Sequence, residues 1–118
     1  MAVILQVDFP THGPFGQEMS EAFQALAESI NQEQGLRWKI WTENAETQEA
    51  GGIYLFDEQK YAEQYLKMHT ARLESFGIDN IRSKIFQVNQ TLSVLNTANF
   101  LNENRPNPDI LGECQGLK

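Results

Sequence analysis

Between Leu36 and Phe56 the chain carries two alternating runs joined by a short polar turn, with a segment of helical period on either side. In the first run Leu36, Trp38, Ile40 and Thr42 alternate with Arg37, Lys39, Trp41 and Glu43; the second, Glu49–Phe56, reads EAGGIYLF. Such alternation marks strands whose two faces meet different surroundings. The turn Ala45-Glu46-Thr47-Gln48 has an even length, which sets the cross-strand register. Ile53 and Leu55 then lie beside Ile40 and Trp38, and Gly52 and Tyr54 beside Trp41 and Lys39. Alternation from Leu36 predicts Trp38 and Ile40 on the helix-facing side of the sheet.

The flanking segments complete the pattern. Ala2–Phe9 (AVILQVDF) reads as a strand with Val3, Leu5, Val7 and Phe9 on one face, and Pro10-Thr11-His12-Gly13-Pro14 breaks it. From Phe15 to about Gln32 the stripe Phe15, Met19, Ala22, Phe23, Leu26 and Ile30 predicts an amphipathic helix. A second helix is expected from a cap at Asp57 to about Phe76, with Tyr61, Tyr65, Leu66, His69, Leu73 and Phe76 inward and Gly77 as its stop. Ile81–Val88 reads as a fourth strand and Thr91–Leu101 as a short closing helix. The order β-α-β-β-α-β is that of an α+β, ferredoxin-like domain over residues 1–101. The remainder, 102–118, contains two prolines and no periodicity, and is expected to be a disordered tail or an arm laid on a partner.

Two helices cover only one face of four strands. The other face is predicted to carry Ile4, Trp41, Tyr54, Phe56, Phe86 and Val88, too apolar a patch to leave in water. A homodimer through this open face is the expected remedy. The length of 118 residues suits one domain. A net charge of −7, from 16 acidic and 9 basic residues, repels nucleic acid and anionic membranes. No apolar run reaches the roughly 18 residues of a membrane span, and the N-terminus reads as a first strand rather than a signal peptide. Cys114 is the only cysteine, so no intramolecular disulfide is expected and a cytoplasmic location is the default.

Familiar nucleotide, hydrolase and redox motifs are absent, and His12 and His69 have no metal-ligand spacing, so no metal or cofactor site is expected. His69 falls between Leu66 and Leu73 on the inward stripe. It is either a base or hydrogen-bond donor in a pocket, or a core histidine bonded to a carbonyl or a tyrosine hydroxyl. Arg72, one turn on, is either part of such a pocket or a solvated ion pair. Trp38 is expected to meet His69 across the core, with Met19 and Phe23 completing an apolar wall; simple core packing is the alternative for the indole. Gly51-Gly52 inside a strand marks a bulge or the close approach of another group.

Gly13-Pro14-Phe15-Gly16, AESINQEQGLRWKIWTE (Ala27–Glu43), EAGGIYLF, HTARL (His69–Leu73) and KIFQVN (Lys84–Asn89) together closely resemble the YdhR-type monooxygenases, over about residues 2–101. The resemblance implies a dimeric α/β barrel and, by analogy, a cofactor-independent monooxygenase acting on a small aromatic, phenol- or anthrone-like ligand. On that reading His69 is the base, Trp38 the stacking wall and Arg72 a cation for developing negative charge, while Met19, Phe23, Tyr65 and Leu73 contact the substrate. A second reading is a dimeric module that binds a small ligand without turnover. The third is haem binding or degradation, since the wider superfamily includes haem-degrading oxygenases with a helix histidine, a strand tryptophan and a strand asparagine. His69 and Trp38 suit the first two, but the first strand offers only Gln6 and Asp8, both on the opposite face.

Overall fold

The computed structural model describes residues 1–98. Met1–Val88 is one compact unit, built from β1 (Val3–Pro10), α1 (Gly16–Ala22), α2 (Gln24–Ile30), β2 (Leu36–Asn44), β3 (Glu49–Phe56), α3 (Gln59–Ser75) and β4 (Arg82–Gln87). The antiparallel sheet has the order β2-β3-β1-β4, which is the ferredoxin-like arrangement. Asn89 begins a second unit, whose described part holds α4 (Gln90–Leu95), capped by the Asn89 side chain accepting from the Leu92 N–H at 3.1 Å. The helix stops short of the expected Leu101, with Asn96 as its C-cap and Thr97 in the left-handed region at φ +64°; residues 99–101 and the 102–118 tail lie outside the described residues.

The predicted first helix is two short ones meeting at Phe23. Hydrogen bonds continue across the junction, from Phe23 N–H to Met19 and from Ala27 N–H to Phe23. Only the path changes: Phe23 leaves helical geometry at φ −111°, ψ 14°. Asp57 is not the cap of α3, because that position belongs to Glu58. Asp57 instead pairs with the Arg37 guanidinium. The helix ends as expected at Gly77, at φ +86°, with the Ile78 N–H reaching back to the Leu73 carbonyl.

The cross-strand neighbours in the hairpin are those set by its turn: Lys39 pairs with Tyr54, Ile40 with Ile53 and Trp41 with Gly52. The faces differ from expectation. Leu36 pairs with Phe56 and Trp38 with Leu55, so Arg37 is an extra residue on β2. One extra residue reverses the parity of everything after it. Leu36 stays in the core, Lys39 and Trp41 turn toward the helices, and Trp38 and Ile40 turn to the open side. On β3, Tyr54 and Phe56 belong to the core with Val3 and Leu5 of β1 and Tyr65 and Leu73 of α3. Burying each large side chain of this kind contributes about 1.5–3 kcal/mol.

Trp41, Tyr54 and Phe56 are therefore not on the open face. Ile4, Trp38, Ile40, Ile53, Leu55 and Phe86 are, by their register. The face is apolar as expected but more aliphatic.

Gly51 lies against the backbone of β1 with no room for a side chain. A Cβ on Gly51 would stand 1.9 Å from the Val7 carbonyl oxygen, a backbone atom that cannot swing aside. Gly51→Ala should therefore cost about 1–3 kcal/mol through overpacking, read as a lower urea midpoint. An unchanged midpoint would mean that the strands separate freely here.

Candidate active site

A cavity of about 410 Å³ lies between the helices and the sheet. β1 gives it Val7 and Phe9, the following loop Gly13 and Pro14, α1 Met19, and β2 Lys39 and Trp41; Phe23 stands at the α1–α2 junction. β3 adds Tyr54 and α3 adds His69 and Leu73. Its size is that of a small-molecule site. The wall is mostly apolar, and among the described residues no carboxylate lines it. A larger, shallower concavity of about 900 Å³ lies on the open sheet face. Its arginine, Arg82, is already bonded to Asp8 at 2.6 Å and Glu49 at 2.9 Å, which leaves it less to offer a ligand.

The predicted site residues divide. Met19, Phe23, His69 and Leu73 line the cavity. Tyr65 and Arg72 stand behind His69: the Tyr65 ring stacks on the imidazole at 5.0 Å, and Arg72 Nη2 lies 2.8 Å from His69 Nδ1. Trp38 is not part of the site, since the extra residue in β2 turns it to the other face. Its expected place is taken by Trp41, whose ring stacks on Phe23 at 6.2 Å. Gln6 and Asp8 face away, as expected.

Arg72 organises the polar part of this wall. Among the described residues it has no carboxylate partner; Nη2 donates to His69 Nδ1 and, at 3.4 Å, to the Tyr65 hydroxyl. Tyr65 in turn donates to the Tyr54 hydroxyl at 3.3 Å. A guanidinium has no acceptor, so Nδ1 must be the acceptor. Burial, then the positive charges of Arg72 and Lys39, pull the His69 pKa down to about 3. The imidazole is thus neutral at pH 7, and the bond from Arg72 assigns its proton to Nε2. So held, His69 is a hydrogen-bond donor and a poor proton acceptor. Burial also raises both tyrosine pKa values, Tyr54 most strongly, so both phenols stay protonated. The Tyr54 hydroxyl has its own proton left to give.

Sequence reasoning missed Lys39. Its Nζ stands 3.4 Å from the centre of the Trp41 ring and 4.7 Å from that of Tyr54. Burial, helped by the charge of Arg72, pulls its pKa down to about 7. The ring faces oppose this by favouring the ammonium, an effect of about 0.5–2 kcal/mol. Lys39 therefore sits where amine and ammonium interconvert near neutrality. The signal that pointed to it was Gly52, directly across from Trp41: a Cβ there would come within 2.7 Å of Lys39 Cε and 3.2 Å of the Tyr54 ring.

Among the described residues, no three His, Cys, Asp or Glu side chains converge as a metal site. No described helix is long and apolar enough to cross a membrane.

Fold and site together define a ferredoxin-like α+β protein with a mostly apolar, small-molecule-sized cavity between its helices and its sheet. Similar solved structures include a mutant form of SnoaB, a cofactor-independent oxygenase from Streptomyces nogalater, at TM-score 0.55 and 16% identity over 77% of this chain and 96% of that one. Another is described as a "putative antibiotic biosynthesis monooxygenase" from Deinococcus radiodurans, at TM-score 0.50 and 10% identity over 75% and 92%. At these identities the likeness is one of fold. No curated protein sequence matches. The chain belongs to the family described as "Putative mono-oxygenase ydhR", whose profile matches residues 4–99.

The low His69 pKa has a consequence for stability. From its ordinary value of 6.5 down to about 3, the unfolded chain holds a proton on this residue that the folded chain does not. Stability is therefore full above pH 6.5 and falls as pH falls, by up to about 1.4 kcal/mol per pH unit. Urea unfolding between pH 7 and 5 should show this slope in the wild type and a shallower one in His69→Gln. Equal slopes would mean that His69 protonates freely in the fold.

Proposed function

We propose that the protein is a cofactor-independent monooxygenase of a small aromatic, phenol- or anthrone-like substrate. One observation carries the reading: a mostly apolar cavity whose polar wall, among the described residues, holds cations and neutral donors and no carboxylate. Such a wall suits an aromatic compound that reacts as its anion. In a dry site the electrostatic stabilisation of that anion is stronger than in water.

The substrate supplies the electrons. Once its hydroxyl has lost a proton, the electron-rich ring reduces dioxygen. For an anthrone-like methylene, one oxygen atom ends on the carbon as a carbonyl. The other leaves as water with the two hydrogens the carbon gives up. The protein's part is to hold the ring between Trp41 and Phe23 on one side and Leu73 on the other, and to keep water out. His69 Nε2–H and Tyr54 O–H donate to the developing oxyanion, and Arg72 fixes His69 in the tautomer that can donate.

The reading includes a homodimer through the open sheet face. Ile40 and Phe86 support it, because each is about half exposed there, at 50% and 48%.

Oxygen uptake with a hydroxyanthrone is the test of the activity. His69→Ala should lower turnover by about 10²–10³-fold, the usual loss when an oxyanion donor is removed. No uptake by the wild type with any oxidisable phenol would end the oxygenase reading. Phe86→Glu should dissociate the dimer, since a charge replaces an apolar contact worth about 1–2 kcal/mol. A wild type that is monomeric by light scattering at micromolar concentration contradicts the dimer.

A further inference from the structure

We propose that Lys39 is the group that takes the proton from the substrate hydroxyl and then remains beside the anion as its counter-ion, so that the cavity selects aromatic compounds bearing an ionisable hydroxyl. The inference rests on the aromatic-substrate reading above and names the proton acceptor that reading lacks. His69 cannot be that acceptor, because Arg72 already occupies Nδ1 and Nε2 carries the ring proton. Tyr54 and Tyr65 are bonded to each other and protonated. Among the cavity's lining residues, Lys39 alone combines a basic nitrogen with a place on the wall.

The position is built for it. Lys39 and Trp41 share a face of β2 by simple alternation, the extra residue at Arg37 turns that face toward the cavity, and the lysine stem passes over Gly52, where a side chain would displace it. Nζ then stands over the Trp41 ring at 3.4 Å, beside the space a flat substrate would fill. The groups around it are Tyr54 from β3 and His69 and Arg72 from α3. The cavity residues from β1, α1 and α2 are apolar: Val7, Phe9, Met19 and Leu26. No carboxylate lies there to hold the lysine permanently charged. Burial and Arg72 bring its pKa to about 7, so a fraction of the enzyme holds the free amine at neutral pH. In the step, the substrate O–H bond breaks and an N–H bond forms on Nζ. A neutral pair becomes an ammonium and a phenolate, and no charge enters or leaves the cavity.

The test needs no turnover. Alizarin is a hydroxyanthraquinone whose absorption moves to longer wavelength when it ionises, so its spectrum reports its protonation when bound. Wild-type protein should bind it ionised and lower its apparent pKa by about one to three pH units, the effect of a cation in contact. Lys39→Met should abolish most of this shift, whereas Lys39→Arg, a permanent cation, should keep it. Gly52→Ala should resemble Lys39→Met in the spectrum with little loss of stability, because its Cβ meets the movable end of a side chain. Alizarin binding to Lys39→Met with the wild-type spectrum would overturn the proposal. So would a bound dye that ionises no more easily than the free one, or no binding to the wild type. The two readings fail separately. A shift without oxygen uptake keeps Lys39 as proton acceptor and removes the oxygenase; uptake by Lys39→Met at the wild-type rate does the reverse.

Discussion

One extra residue near the start of β2 determines which side chains meet the cavity. With Arg37 bulged out of the ladder, Leu36 still packs in the core while Lys39 and Trp41 follow it to the same side. In a regular strand, parity would put Trp38 and Ile40 there, and the lysine would lie on the open face. Arg37 pairs with Asp57, just beyond the end of β3, and the Asp57 N–H bonds the Gly35 carbonyl at 2.8 Å. The bulge is thus held at the open end of the hairpin, by contacts to the residue that follows β3. A half-exposed ion pair of this kind contributes little by itself. The burial of Leu36 and Phe56 does more to hold the register.

The second constraint is electrostatic. The chain carries a net charge of −7, yet its cavity presents Lys39 on the wall and Arg72 behind it, and among the described residues no carboxylate lines the cavity or is ion-paired with either. Two cations near one another in an apolar setting lower stability; besides burial, Arg72 lowers the proton affinity of both Lys39 and His69, and Lys39 that of His69. A fold gains nothing in stability from this arrangement. Perturbed groups gathered in a cleft are the mark of a site that binds or reacts. The anionic aromatic ligand proposed above would offset this repulsion.

Much of the fold was legible because it rests on periodicity. The strand and helix order, the hairpin pairing and the inward place of His69 all follow from apolar spacing and the length of one turn. The face of β2 did not, because a bulge has no obligatory residue: Arg37 looks like any other outward-facing position in an alternating run. That single parity error moved Trp38 into the expected site and Trp41, Tyr54 and Phe56 onto the expected open face. Lys39 was missed for a related reason, since a lysine between two tryptophans reads as the solvated side of a strand. Gly51-Gly52 did announce a close approach, but spacing alone could not tell the Val7 carbonyl at one glycine from the lysine stem at the other. The break at Phe23 left no trace in the apolar stripe, which runs through it unchanged.

Arg72 and burial hold His69 neutral, with its proton on Nε2, against the cavity. Nitrogen-15 NMR of the imidazole ring tests this most directly, because the two ring nitrogens have different shifts in each tautomer and in the charged form. Between about pH 5 and pH 8 the His69 ring should show a protonated Nε2 and a bare Nδ1, with no titration. A ring that titrates near its ordinary value of 6.5, or that carries its proton on Nδ1, would contradict the account.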